Sequence, residues 1–168
     1  MKTLSKTAVA VAALTVLTAC GGGGSSKDAE PADPRNIELR FKAVAGGQAV
    51  GCGAPIAALG NEAMQAGLKD LRFYVSEVKL RRADGTLVPL EMPVTDWQHS
   101  GQVALIDLED GTGSCEGRGT TGMNAAVTGT VPAGDYNGVV MTIGVPGSLN
   151  HTDTAAEKAP LDIQAMAW

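Results

Sequence analysis

The sequence contains few of the residues that catalytic and nucleic-acid-binding proteins use. Its 168 residues include two histidines and two each of phenylalanine, tyrosine and tryptophan, which leaves little for acid–base catalysis. No G-x-S-x-G motif is present, so nucleophilic catalysis has no support. The formal net charge is −5 and the only adjacent basic pair is Arg81-Arg82. Because binding to phosphates requires clustered Lys and Arg, we expect that the protein does not bind nucleic acid. The scarcity of catalytic residues and motifs leads us to expect a non-enzymatic protein.

A long hydrophobic run is also missing. The apolar stretch at residues 8–17 is well short of the roughly 20 residues that a helix needs to span a bilayer. Lys2 and Lys6 precede this stretch, and small residues follow it, as in a secretory signal peptide. Leu17-Thr18-Ala19-Cys20 resembles a bacterial lipobox, in which the cysteine becomes the lipidated first residue.

These features predict three parts of the chain. Residues 1–19 are a lipoprotein signal peptide, residues 20–35 are the lipidated Cys20 and a flexible Gly/Ser tether, and residues 36–168 form one domain. We expect the protein outside the cytoplasm, attached through its lipid to a membrane in the periplasm or at the cell surface. Gly21 after the cysteine favours the outer membrane, by resemblance to known lipoprotein sorting.

Two cysteines remain once Cys20 is assigned to the lipid. In an oxidising compartment Cys52 and Cys115 are the available pair for a disulfide. The alternative is a thiolate copper site, although the chain lacks the C-x-x-C spacing that would favour one.

Hydrophobic alternation predicts strands rather than helices over most of the domain. Alternating or apolar stretches bounded by turn residues occur at 36–44, 71–80, 86–90, 103–108, 125–131 and 136–143. The pattern of 71–80 shifts near Ser76-Glu77, which predicts a β-bulge, and Asp84-Gly85 predicts a hairpin turn. We expect an all-β fold, an antiparallel β-sandwich or barrel-like domain with long glycine-rich loops. A short helix is expected within Pro55–Met64.

Few loop residues are candidates for chemistry. His151 and His99 are the two imidazoles, and nitrogen ligands suit copper or zinc, although a single loop histidine is more often an ordinary surface residue. Glu109, Asp110 and Glu116 form an acidic loop, which we interpret as a solvated turn. Paired carboxylates of a glycosidase are the alternative there.

Several segments, taken in order, resemble the MbnP-like family of periplasmic or surface copper-binding proteins. The matching segments are Val50–Gly53, Leu71–Val78, Trp97-Gln98, Val103–Gly111, Cys115, Gly119–Asn124, Gly144–Pro146, Leu149–His151, Pro160-Leu161 and Met166–Trp168. This resemblance implies a β-rich fold and copper as the bound metal.

The resemblance also implies a partner enzyme. Family members are encoded beside an MbnH-like di-haem enzyme of the MauG or cytochrome c peroxidase type. That partner oxidises a tryptophan of the binding protein to kynurenine, and copper binding depends on the product. Carried onto this chain, His151 is the candidate ligand and Trp168 the candidate for oxidation, whereas Trp97 is interpreted as a packing residue.

The chain departs from the family pattern at its C-terminus. The family is often described by four cysteines, and this chain has two after Cys20. Leu161–Trp168 looks like the start of a strand, so we expect a sequence that is truncated at the C-terminus. Two other functions stay open: a metal-free structural or adhesive β-sandwich lipoprotein, and a surface hydrolase that uses Glu109 or Glu116.

Overall fold

The computed structural model describes residues 33–99, 103–118 and 120–166, and within them the fold is all-β. The predicted signal peptide, the lipidation of Cys20 and the oxidation of Trp168 lie outside the described residues. Eleven strands are formed: β1 Arg35–Arg40, β2 Val44–Ala45, β3 Gln48–Ala49, β4 Ile56–Leu59, β5 Met64–Ala66, β6 Arg72–Arg81, β7 Leu87–Pro89, β8 Gln98–His99, β9 Val103–Asp107, β10 Ala126–Val131 and β11 Gly138–Ile143. The same described ranges contain two short 3₁₀ turns, Gly113–Cys115 and Gln164–Met166. In this part of the chain no helix is both long and apolar enough to cross a membrane.

The long strand β6 is the centre of a five-stranded antiparallel sheet. It pairs with β11 along one edge, and with β9 and then β7 along the other, while β8 pairs with β9. The predicted bulge is confirmed: Glu77 has a φ of 50°, and the register with β11 shifts between Val140 and Thr142. The extra residue moves the alternation of β6 by one position, which is the shift visible in the sequence.

Strands β1 and β10 form a second antiparallel sheet that curls against the first. Its link to the main sheet is made by two isolated bridges, Glu91 with Thr130 and Asp107 with Asn124. The sheets therefore bend into a partly closed barrel, which agrees with the predicted antiparallel sandwich or barrel.

The main sheet is covered on both faces. On the first face, β1 and β10 pack over a core that includes Val75, Ala104 and Ile106. On the second face, Tyr74, Val103, Leu105 and Leu161 form another cluster, and its cover comes from residues 145–166. All five residues of β9 are buried, so this strand appears in the sequence as a continuous apolar run rather than an alternating one.

The helix predicted within Pro55–Met64 is wrong. Strands β4 and β5 form a hairpin there. Gly60 has a φ of 65°, as a tight turn requires. The alanines and Met64 have good helix propensity, but the segment is short and mostly exposed, so no packing supports a helix against the turn.

The strand predicted to begin at Leu161 is also wrong over its described part. The chain makes turns there and ends in the 3₁₀ turn Gln164–Met166. Leu161 is buried and Met166 packs against the second-face cluster. These apolar residues serve as the cover of an existing sheet, which in sequence looks the same as one face of a strand.

Candidate metal site

The cover of the second face is held to the sheet by Tyr74 of β6. Its hydroxyl donates a hydrogen bond of 2.7 Å to the carbonyl oxygen of Pro160, and both groups are buried. Burial is the main reason that the pKa of Tyr74 rises to about 12. The phenol therefore stays protonated and donates this bond at all ordinary pH values.

His151 lies in the loop that follows β11. The carbonyl of Pro146 accepts hydrogen bonds from the N–H groups of Leu149 and Asn150, which forms a compact turn. His151 itself has a φ of 64°, a left-handed conformation that non-glycine residues rarely adopt. Its N–H donates to Oδ1 of Asn150 at 3.1 Å, and Nδ2 of Asn150 lies 3.4 Å from Nε2 of the imidazole. The turn thus fixes an exposed imidazole at the edge of the cover.

His151 and Met166 line the same small cavity. Its volume is about 60 Å³, and its other walls include Tyr74 and Leu161. Imidazole and thioether are ligands that suit copper, and thioethers favour the soft Cu(I) ion. Sequence reasoning did not single out Met166. Its only signal was its position two residues before Trp168 in the last matching segment.

A wider groove adjoins this cavity. It has a volume of about 830 Å³ and shares Tyr74, Asn150 and Met166 with the smaller cavity. Arg72 and Arg118 also line this groove. The small cavity is therefore next to a surface large enough for further ligands.

His99 does not line the cavity of His151. It lies on β8, where it pairs with Val103 of β9. Because Val103 belongs to the second-face cluster, His99 is directed to the same side of the sheet as the cover. Its Nδ1 atom is buried and has no hydrogen-bond partner within the described part of the chain. The two predicted imidazoles thus share a side of the sheet without being brought together.

The predicted disulfide is present. Cys52 and Cys115 are bonded with a Cα–Cα distance of 5.3 Å and a sequence separation of 63 residues. The bond occupies both sulfur atoms, so the alternative of a thiolate copper site does not apply to the oxidised chain.

The interpretation of Glu109 as part of a solvated turn is wrong. Its side chain is fully buried, and it accepts hydrogen bonds of 2.9 Å from the N–H groups of Gly111 and Thr120. Arg72 is also close, with Nε 3.8 Å from Oε1 of Glu109. Glu116, by contrast, is exposed. The loop therefore offers no open pair of carboxylates to a substrate at these two positions.

Trp97 has the packing role predicted for it. Its ring is half-buried against the second-face cluster and touches the backbone at Gly122, where an added Cβ would lie 3.4 Å from the ring.

The fold and the site define an antiparallel β protein with a loop-borne histidine over one face of its sheet and a disulfide-bonded acidic loop beside it. A sequence model of the MbnP family matches residues 34–168. The chain therefore belongs to the MbnP family, and the resemblance stated from the sequence is confirmed.

A solved structure supports the same conclusion. MbnP from Methylosinus trichosporium is 34% identical in sequence, with a TM-score of 0.67 over 81% of this chain. This chain covers 50% of that protein, so it spans about half the length of its solved relative. Among curated proteins no match was found.

Proposed function

We propose that the protein is a non-enzymatic, copper-binding lipoprotein that acts outside the cytoplasm, anchored through lipid on Cys20. The observation that carries the copper assignment is that His151 and Met166 line the same cavity near the end of the described chain. Membership of the MbnP family supports the assignment.

The proposed site includes a modified tryptophan. An MbnH-like di-haem enzyme of the MauG type oxidises Trp168 to kynurenine before copper binds. Opening of the indole needs insertion of oxygen, which a peroxide-driven haem enzyme supplies, and hydrolysis then releases formate and leaves an aryl amine and a ketone. Trp168 follows Met166 by two residues, so these new polar groups are carried by the same end of the chain as the thioether.

His99 is proposed as a further imidazole ligand, at a place outside the cavity of His151 and Met166. Its support is its buried Nδ1 atom, which has no hydrogen-bond partner among the described residues and lies on the side of the sheet that the cover occupies. A ligand there would satisfy a nitrogen that otherwise costs free energy in the folded protein.

The test is copper retention by the protein purified from its own host, together with peptide mass spectrometry at Trp168. We expect the wild type to retain copper and to carry kynurenine, and His151→Ala to lose most of the metal while it keeps the kynurenine. Lys158→Ala, an exposed residue of the same cover that does not line the cavity, is the matched control and retains copper. Unchanged copper content in His151→Ala would contradict the site.

One observation favours the alternative of a metal-free structural or adhesive lipoprotein. The β4–β5 hairpin exposes apolar side chains, with Leu59 at 37% and Met64 at 61% of full exposure, as surfaces that contact other molecules often do. This alternative predicts that copper stays at background level even when Trp168 is oxidised, so the same experiment separates the two functions.

A further inference from the structure

The disulfide lies directly against a buried carboxylate. The side-chain ligand atoms of Cys52, Cys115 and Glu109 all lie within 4.8 Å of one another, and all three residues are buried. In the oxidised chain the two sulfur atoms are bonded to each other. Reduction would convert the same three side chains into two thiols beside a buried carboxylate.

A backbone oxygen lies beside one of the two sulfur atoms. The carbonyl oxygen of Leu68 lies 3.5 Å from Sγ of Cys115. A bridged sulfur carries no proton, so this contact is not a hydrogen bond in the oxidised chain. Zinc commonly takes cysteine and carboxylate ligands, so the two sulfurs and the carboxylate are a donor set that suits it.

The backbone around the group is held independently of the disulfide. The carbonyl oxygen of Cys52 accepts hydrogen bonds from the N–H and the hydroxyl of Ser114, at 3.0 and 2.9 Å. Gly111 and Thr120 hold the carboxylate of Glu109 through their N–H groups. These bonds keep both cysteines and the glutamate close together after the sulfur–sulfur bond is broken.

We propose that the reduced chain binds a divalent, borderline-soft cation such as Zn²⁺ through Cys52, Cys115 and Glu109, so that disulfide and metal are alternative states of one site. A dithiol reductant supplies the two electrons: the sulfur–sulfur bond breaks, the chain gains two thiols and the reductant leaves as its own disulfide. On metal binding each thiol loses its proton to solvent. This inference does not depend on the proposed copper site.

The charges around the group favour a cation over free thiolates. Two thiolates beside Glu109 would place three negative charges in a buried volume, where Arg72 is the nearby positive charge at 3.8 Å from the carboxylate. Like charges in a buried site oppose ionisation, so thiols without metal stay protonated. A divalent cation removes that repulsion.

Cobalt titration of the full chain tests the proposal. The protein is reduced with a phosphine under argon, which avoids a thiol competitor, and Co²⁺ is added as the probe. We expect the reduced chain to bind one cobalt ion with a thiolate charge-transfer band that Zn²⁺ abolishes, and the oxidised chain to show no band. Glu109→Gln weakens binding by about tenfold or more. The matched control Glu116→Gln, an exposed glutamate next to Cys115, binds as the wild type does.

Three results would overturn the proposal. They are the absence of the band in the reduced wild type, an affinity of Glu109→Gln equal to that of the wild type, and binding without a folded near-ultraviolet circular dichroism spectrum. The last two would mean that the two cysteines bind the ion without help from Glu109 or from the folded chain. His151→Ala is expected to leave the cobalt titration unchanged, so failure of this site and failure of the copper site are distinguishable.

Discussion

Arg72 is buried although its guanidinium is charged at every physiological pH. Its side chain is 4% exposed and its Nε donates a hydrogen bond of 2.9 Å to Oδ1 of Asp70. It also donates to the carbonyl oxygen of Arg118 at 3.2 Å and lies near Glu109. An unpaired buried charge is costly, so these acceptors are required for the fold. At the scale of single residues, this network explains why the acidic loop folds back onto β6.

Two aspartates lie near Arg72, and their contributions to folding stability are expected to change with pH in opposite directions. Burial raises the pKa of Asp107, whereas the hydrogen bond from Arg72 lowers the pKa of Asp70. Asp107 holds its proton more tightly in the folded protein than in the unfolded chain, so its ionised carboxylate destabilises the fold at neutral pH. This destabilisation disappears as pH falls through the folded pKa of Asp107 towards 3.8. Asp70 contributes stability above 3.8, and this contribution is lost as pH falls further through its folded pKa.

Urea unfolding of Asp107→Asn and Asp70→Asn at a series of pH values measures both effects. Relative to Asp107→Asn, the wild type should gain stability as pH falls from neutral towards 3.8. Relative to Asp70→Asn, it should lose stability below that value. Differences of the same sign in both comparisons would contradict the assignment of causes.

At the scale of the elements, the sequence is most informative where a strand has one face in the core. Ile37 and Leu39 alternate with exposed residues on β1, and the change of phase at Glu77 marks a real bulge. The helix prediction for Pro55–Met64 was wrong because turn geometry and packing outweigh helix propensity. Neither of these two effects is visible in a hydrophobic pattern. The prediction of a strand beginning at Leu161 was wrong over its described part. A loop that covers a sheet and a strand both place apolar residues at short intervals, so the sequence does not distinguish them.

Strand β10 lies close to the residues that follow β7, so adding a side chain at Gly129 is expected to lower the folding stability strongly. A Cβ added there would lie 2.6 Å from the carbonyl oxygen of Glu91 and 2.8 Å from the side chain of Leu90. The obstructing atom is backbone within a strand bridge, so it has little freedom to move. We expect Gly129→Ala to lower the free energy of unfolding by about 1–3 kcal/mol.

Gly138 of β11 provides the matched control for that substitution. A Cβ there meets only the outer end of the Arg81 side chain, at 3.0 Å, which can move aside. In thermal or urea unfolding, Gly138→Ala should stay close to the wild type. Equal losses in the two variants would show that strand conformation, rather than the contact with Glu91, sets the cost.

At the scale of the whole molecule, the candidate site depends on contacts between distant parts of the chain. Tyr74 and Pro160 are 86 residues apart and Met166 is far along the chain from β6, yet all three meet over the second face. The pairing of Cys52 with Cys115 needed only a residue type and was accessible from the sequence, whereas the role of His151 as a ligand stays a prediction. Burial of Glu109 and the place of Met166 were not accessible from the sequence, because each depends on a partner that no local pattern specifies.

This dependence predicts that a single hydroxyl on β6 affects both stability and copper binding. Tyr74→Phe leaves the buried carbonyl of Pro160 without its donor, which should cost about 1–3 kcal/mol. The cover that carries Leu161 and Met166 is then held less firmly, so copper should dissociate faster. Tyr136→Phe is the matched control: its hydroxyl also donates 2.7 Å to a proline carbonyl, but in an exposed position. Urea unfolding and the rate of copper transfer to a chelator measure the two effects. If Tyr74→Phe loses stability but releases copper at the wild-type rate, the cavity does not depend on the cover, and the metal is held elsewhere on the chain.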